Sequence, residues 1–253
     1  MNFQLEPFPK NISGLAPSHL ENLKASGLND VTINEAKLQS VPPRLINKIL
    51  GFNAKINSLL EIPYPGTDFS RYKLFPPLTN REGHSQKYHQ PKGSATRLYV
   101  PPGFDCTKSL WLVTEGEKKA LKATQDGLNC LGLGGIWNFG STNGNGKPEL
   151  IPDLKNIPLK NKTIWIVPDA DFKIKDHVKR AVYRLAQLLE AEGATVFIVE
   201  LPGGLKLDDY LCQHTAADFE KLPRLTCQSS QFEEAKLAEA KKISIQDVIL
   251  STG

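Results

Sequence analysis

Apolar runs that end on acid recur between residues 110 and 200 of this chain. Leu110-Trp-Leu-Val-Thr-Glu115 is one, Ile164-Trp-Ile-Val-Pro-Asp169-Ala-Asp171 a second, and Val196-Phe-Ile-Val-Glu200 a third. Unbroken apolar runs of this length are the pattern of strands buried on both faces of a parallel sheet. Between them the period lengthens. Val178, Ala181, Val182, Leu185, Leu188 and Leu189 share one face of a helix over 174–192, which Gly193 ends. A second helix is expected over 117–125, stopping near Gly127, with strands over 110–114, 129–133, 163–167 and 195–200 and a short helix over 208–213. Alternation of strand and helix predicts an α/β domain over 108–212, built on a mostly parallel four-stranded sheet with flanking helices.

The flanks differ in pattern. Residues 1–60 read as a helical region, with Ser18 as an N-cap, Leu20 and Leu23 as an apolar stripe, and a further helix from about 41–43 to Leu50. Residues 61–107 hold prolines at 63, 65, 76, 77, 91, 101 and 102, which exclude long helices and leave short strands such as 71–75 and 97–100. Residues 213–253 form an extension with an Ala/Glu/Lys-rich helix over 233–242 that has little apolar face.

Composition changes this picture only where it is uneven. A chain of 253 residues with 40% hydrophobic and 23% charged residues has enough apolar surface for a sizeable core. Formal net charge is +4, a mild excess. From Arg71 to Arg97, however, Lys or Arg stands at 71, 73, 81, 87, 92 and 97 against the single acid Glu82, with Tyr72, Phe75 and Tyr88 between them. Basic and aromatic residues interleaved in this way suit a nucleic-acid strand, and Arg71, Lys73, Lys87 and Arg97 are the strongest candidates. Cys106, Cys130, Cys212 and Cys227 form no CxxC pair, so zinc-ribbon and thioredoxin readings lose their signature and reduced thiols in a cytoplasmic protein are expected. No run has the length of a membrane span, and the N-terminus lacks a signal-peptide pattern.

The acids define the candidate chemistry. Open α/β sheets bind ligands beyond the carboxyl ends of their strands. Glu115, Asp169 and Asp171 stand at two such ends, and Asp208 and Asp209 follow the last strand. Carboxylates gathered there repel one another unless a positive charge lies between them, and a hard divalent cation is the economical choice. Asp-x-Asp alone is often only a cap or turn; its register with the other acids favours the metal reading. Glu117 reads as a first-turn carboxylate favoured by the helix dipole. Lys118, Lys119 and Lys206 are candidates for phosphate contact, and Gly132-Leu-Gly-Gly135 could bring backbone amides close to a phosphate. Gly140 to Pro148 resembles a P-loop, but its spacing is one residue too long and Pro148 replaces the hydroxyl residue.

Thr114-Glu115-Gly116-Glu117-Lys118-Lys119-Ala120, Asp169-x-Asp171 and Asp208-Asp209 together resemble the TOPRIM domain shared by bacterial-type primases, topoisomerases and some nucleases. Upstream, Gln86-Lys87-Tyr88-His89-Gln90-Pro91 and Arg97-Leu98-Tyr99 resemble the basic segment before TOPRIM in the catalytic core of replicative primases. Through His19-Leu-Glu-Asn-Leu-Lys-Ala-Ser-Gly-Leu28, Gly132-Leu-Gly-Gly135 and Lys206-x-Asp208-Asp209, the chain also resembles a primase-like family of plasmid, phage and cyanobacterial replication proteins, often joined to a helicase. The resemblance implies a Mg²⁺ or Mn²⁺ site at Glu115, Asp169 and Asp171, completed or tuned by Asp208 and Asp209, with Glu115 as ligand or general base. It implies a DNA primase acting on single-stranded DNA with nucleoside triphosphates, and a replicative helicase as a partner. A zinc module common to such primases has no counterpart here. The same carboxylates would serve a metal-dependent nuclease, and a non-catalytic nucleic-acid-binding module is the third alternative.

Overall fold

The computed structural model describes residues 14–79, 83–142, 148–238 and 240. Arg81, Glu82 and most of the glycine-rich loop before Pro148 lie outside them, as does the end of the helix expected over 233–242. The chain opens with α1 (Pro17–Ala25) and α2 (Asp30–Glu35), followed by β1 (Gln39–Ser40), a 3₁₀ turn at Pro43–Leu45, α3 (Ile46–Leu50), β2 (Ser58–Pro63), β3 (Ser70–Thr79) and β4 (Ser85–His89). These strands form an antiparallel sheet in the order β1-β2-β3-β4. The first 60 residues are thus less helical than expected, since β1 and the start of β2 fall within them. Ala16, not Ser18, caps α1, with Pro17 at its first position. Proline at that position costs nothing, because its missing N–H would be unpaired there anyway. β3 continues through Pro76 and Pro77, where its pairing with β4 is interrupted between Lys73 and Leu78, as residues without an N–H require.

The second sheet gathers β5 (Leu98–Tyr99), β6 (Leu110–Glu115), β7 (Cys130–Leu133), β10 (Thr163–Val167), β11 (Thr195–Val199) and β12 (Arg224–Leu225). Around them run α4 (Glu117–Gln125), the small β8 (Gly140–Thr142) and β9 (Pro148–Leu150) pair, α5 (Pro152–Lys155), α6 (Asp176–Ala191), α7 (Leu207–Leu211) and α8 (Ala216–Phe219). Strand order is β12-β11-β10-β6-β7-β5. The four central strands are parallel, and β5 and β12 add antiparallel edges, so the sheet is mixed. Those two edge strands were not foreseen as members of it. β5 lies within the proline-rich 61–107 segment, which therefore supplies strands to both sheets.

Burial follows from the two periods. Trp111, Val113, Ile164, Ile166, Val196 and Ile198 face one side and pack on Val178, Ala181, Val182, Leu185 and Leu189 of α6. Leu112, Val167 and Val199 face the other and pack on Ala120 and Leu121 of α4 and Leu207 and Leu211 of α7. Leu23, Leu28 and Ile33 join this second cluster, so the N-terminal helices share the core of the larger sheet. Among the described residues no helix is long and apolar enough to cross a membrane.

Candidate functional site

Register places the acids at one edge. Glu115 closes β6 beside Leu133 of β7, and Thr114 lies opposite Val167, two residues before Asp169. Gly116 turns the chain from β6 into α4 at φ 101°, a conformation side chains other than glycine's rarely adopt. α4 then presents Glu117, Lys118 and Lys119 directly after Glu115. Asp169 leads in extended backbone into the 3₁₀ turn Ala170–Lys173, which carries Asp171.

These carboxylates meet lysines. Lys119 Nζ donates to Asp169 Oδ1, a part-buried pair. Lys175 Nζ donates to Asp171 Oδ2 at 2.5 Å on a more exposed flank. Burial raises the proton affinity of Glu115; Lys119 opposes this, while the charges of Asp169 and Asp171 add to it. Glu115, Asp169 and Asp171 therefore share one electrostatic neighbourhood with the Lys119 ammonium. In kind, three carboxylates suit a hard cation. In position they do not yet converge: among the described residues, no group of three or more His, Cys, Asp or Glu side chains could hold a metal ion.

A second charged group lies beside the first. Lys73 of β3 and Lys118 of α4 both donate to the side-chain oxygen of Asn22 on α1, at 2.6 and 3.0 Å. Lys118 also reaches Ser26 Oγ at 2.7 Å. Burial, then the neighbouring Lys118, push the Lys73 ammonium down to about 7; Lys87 and Lys206 act in the same sense. Lys118 is lowered by burial, opposed by Asp208. Asp208 is buried at the start of α7 with Oδ1 unpartnered among the described residues, and Asp209 accepts the backbone N–H of Lys206. Asp208 and Asp209 thus act on the lysine group, whereas the charges that move Glu115 are those of Lys119, Asp169, Asp171 and Arg71. Tyr88 of β4 feels both Asp208 and Glu115.

Two expected nucleic-acid contacts are committed elsewhere. Arg71 turns inward and donates to Glu117 Oε1 at 2.6 Å, an oxygen that also accepts the Tyr64 hydroxyl at 2.6 Å. The Glu117 side chain is 1% exposed, so it is no solvated first-turn acid but the buried anchor joining α4 to the smaller sheet. The Arg71 guanidinium also fills the space beside Gly134 and lies 5.0 Å from the Tyr88 ring centre. Arg97 pairs with Asp153 of α5 at 2.8 Å, whose carboxylate also accepts the Leu98 backbone N–H. Lys87 and Lys206 remain exposed. Asn22 and Tyr64 were missed from sequence, and Glu117 was read there only as a first-turn acid; an isolated polar residue on an N-terminal helix carries no signal of which distant lysine it will meet.

Residues 107–218 match the family described as "Domain of unknown function (DUF3854)". A stretch of 115 residues, 42% of this chain, is 34% identical to "Uncharacterized protein SYNPCC7002_B0001" of Picosynechococcus sp., and spans 12% of that protein's length. Solved structures similar to this chain include the zinc-binding and RNA polymerase domains of the Aquifex aeolicus primase, with TM-score 0.58 and 16% identity, covering 85% of this chain and 57% of that one. The RNA polymerase domain of Mycobacterium tuberculosis primase DnaG gives TM-score 0.57 and 13% identity over 87% of this chain and 79% of that one. A DnaG primase catalytic domain bound to single-stranded DNA gives TM-score 0.52 and 14% identity, covering 81% and 72%. Over 81–87% of its length the chain is thus similar in fold to those domains, and it has a mixed α/β, primase-like fold.

Proposed function

We propose that this chain is the catalytic part of a primase-type nucleotidyltransferase that works on single-stranded DNA with nucleoside triphosphates. The observation that carries this reading is that α4, within a primase-like fold, joins two charge groups: Lys119 pairs with Asp169 in the neighbourhood of Glu115 and Asp171, and the adjacent Lys118 meets Lys73 at Asn22. Primer growth joins a sugar hydroxyl to the α-phosphate of a nucleotide and releases pyrophosphate. Negative charge gathers on the attacking and leaving oxygens, and Mg²⁺ or Mn²⁺ would supply its neutralisation. Glu115, Asp169 and Asp171 would hold that ion once Lys119 releases Asp169. Asp208 and Asp209 tune the lysines, which hold phosphate. Glu115 acts as ligand or accepts the proton of the attacking hydroxyl. The residues outside 107–218 supply Lys73 and Lys87, so the activity needs both sheets.

A second reading is favoured by one observation. Lys119 and Lys175 already pair with Asp169 and Asp171, which suits a non-catalytic nucleic-acid-binding module. Template-dependent synthesis of labelled primers on single-stranded DNA separates the two. Wild type should yield product with Mg²⁺ or Mn²⁺, and Asp169→Asn should lower it by about a hundredfold or more while DNA binding changes little. DNA binding without product assigns the module. Metal-dependent degradation without nucleotides assigns the nuclease instead.

A further inference from the structure

Of the three tryptophans, Trp111 is fully buried and Trp165 is half-buried beside Arg224 and Phe219, whereas Trp137 is 42% exposed. Its surroundings are nevertheless fixed. Residues 134–139 join β7 to β8. Asn138 N–H donates to the Gly135 carbonyl at 2.9 Å, and Ile151 N–H donates to the Phe139 carbonyl at 2.9 Å. Phe139 is buried in the core on the α6 side, and Ile136 packs against that core. The Phe139 ring stacks with the indole, with ring centres 6.0 Å apart and planes inclined by 25°. Folding thus anchors the turn and leaves its largest apolar ring partly in water, where it forgoes the free energy of burial. The turn also adjoins the acidic group. Leu133, just before it, pairs with Glu115 in the β6–β7 register. A Cβ at Gly134 would stand 2.6 Å from Arg71 Nη1, and the charge of Arg71 acts on Glu115. The same guanidinium lies 5.0 Å from the centre of the Tyr88 ring, next to the exposed Lys87 of β4. One arginine therefore connects the basic and aromatic stretch of the smaller sheet to the turn that carries Trp137.

We propose that Trp137 is a stacking platform for an unpaired base of single-stranded DNA at the edge of the carboxylate group. An indole face accepts any of the four bases, because each has a π face of its own, so the platform holds a base without choosing it. Lysine contacts to phosphate need only the backbone of the strand, whereas Trp137 needs the base; the two contributions are separable. Continuity with β3 and β4 favours a strand over a free nucleotide: phosphates lie along the Lys87 side while a base reaches the indole. This inference rests on the single-stranded DNA reading above and adds a residue, Trp137, that the reading does not need.

Trp137→Ala and Trp137→Phe test it in the full chain. Two fluorescein-labelled strands of equal length are compared by anisotropy at fixed salt: oligo(dT), and an abasic deoxyribose-phosphate strand that keeps the phosphates and lacks the bases. Wild type should bind oligo(dT) more tightly than the abasic strand. Trp137→Ala should weaken oligo(dT) by about tenfold and leave the abasic strand within about threefold, and Trp137→Phe, which keeps a ring, should stay within about threefold of wild type on both. Unlabelled oligo(dT) should also quench the tryptophan emission of wild type, and Trp137→Phe should lose that quench while still binding. The quench and its loss decide the matter if Trp137→Ala does not fold, since Trp111 and Trp165 remain in Trp137→Phe. Equal weakening on both strands, unchanged affinity for oligo(dT) in Trp137→Ala, or a quench that survives in Trp137→Phe overturns the platform while the nucleic-acid reading stands. Calorimetry with ATP and Mg²⁺ covers the other occupant: a loss in Trp137→Ala confined to ATP gives the ring to the nucleotide and overturns the strand assignment. Failure of wild type to bind either strand overturns both the platform and the reading beneath it.

Discussion

His19 shows how much one buried side chain settles locally. Its ring is fully buried in α1, with Nδ1 2.7 Å from Ser40 Oγ and Nε2 2.8 Å from Ser58 Oγ, so one imidazole ties the first helix to β1 and β2. Only the neutral ring can donate at one nitrogen and accept at the other. Burial, then the Lys73 charge, push its pKa down to about 4 from an ordinary 6.5. Between those values the unfolded chain binds a proton that the folded chain refuses, so stability falls as pH drops from about 6.5 to about 4. The loss from this group is on the order of 3 kcal/mol by the lower end. Urea unfolding of wild type and His19→Gln across that window should show a shallower acid slope in the variant. Parallel slopes would remove His19 as the cause. Sequence gave no hint of this role, because a lone histidine on an amphipathic helix does not reveal its distant serines.

At the scale of elements, the turn from β6 into α4 governs where Glu115 points, and its packing leaves no slack. Gly132 on β7 lies against this turn: a Cβ there would meet Ala120 Cβ at 3.2 Å, Tyr99 Cβ at 3.2 Å and the Gly116 carbonyl oxygen at 3.3 Å. None of these is the free end of a flexible chain. Gly132→Ala should therefore destabilise the fold by about 1–3 kcal/mol, the usual cost of overpacking, seen as a lowered urea midpoint. An unchanged midpoint would mean that α4 and β5 can move aside. Strand and helix positions here were predictable. α4 begins and ends where the apolar period and Gly127 suggested, β10 spans the expected residues, and α6 buries the expected face with Leu188 at its margin. The edge strands β5 and β12 were not, since two-residue strands take their identity from the partner's hydrogen bonds rather than from any period of their own.

Across the whole molecule, the Arg71–Glu117–Tyr64 group links the smaller sheet to the α4 side of the larger one. Breaking a buried ion pair from one side strands the remaining charge, so Glu117→Ala should cost about 3–5 kcal/mol, whereas pairing Arg71→Met with Glu117→Leu should recover much of that loss. A double-mutant cycle by chemical denaturation measures the coupling, and additive losses would show that the pair does not bind the two sheets together. The strand–helix alternation, the acids at strand ends and the basic stretch on β3 and β4 were readable in the sequence, because periodicity and charge runs are local properties of a chain. Their mutual placement was not. Which lysine neutralises Asp169, which arginine turns inward, and that Asn22 stands between Lys73 and Lys118 follow from contacts between segments about 50 to nearly 100 residues apart. Such contacts depend on how two sheets and the N-terminal helices pack, and packing depends on shape in three dimensions, which no one-dimensional pattern carries.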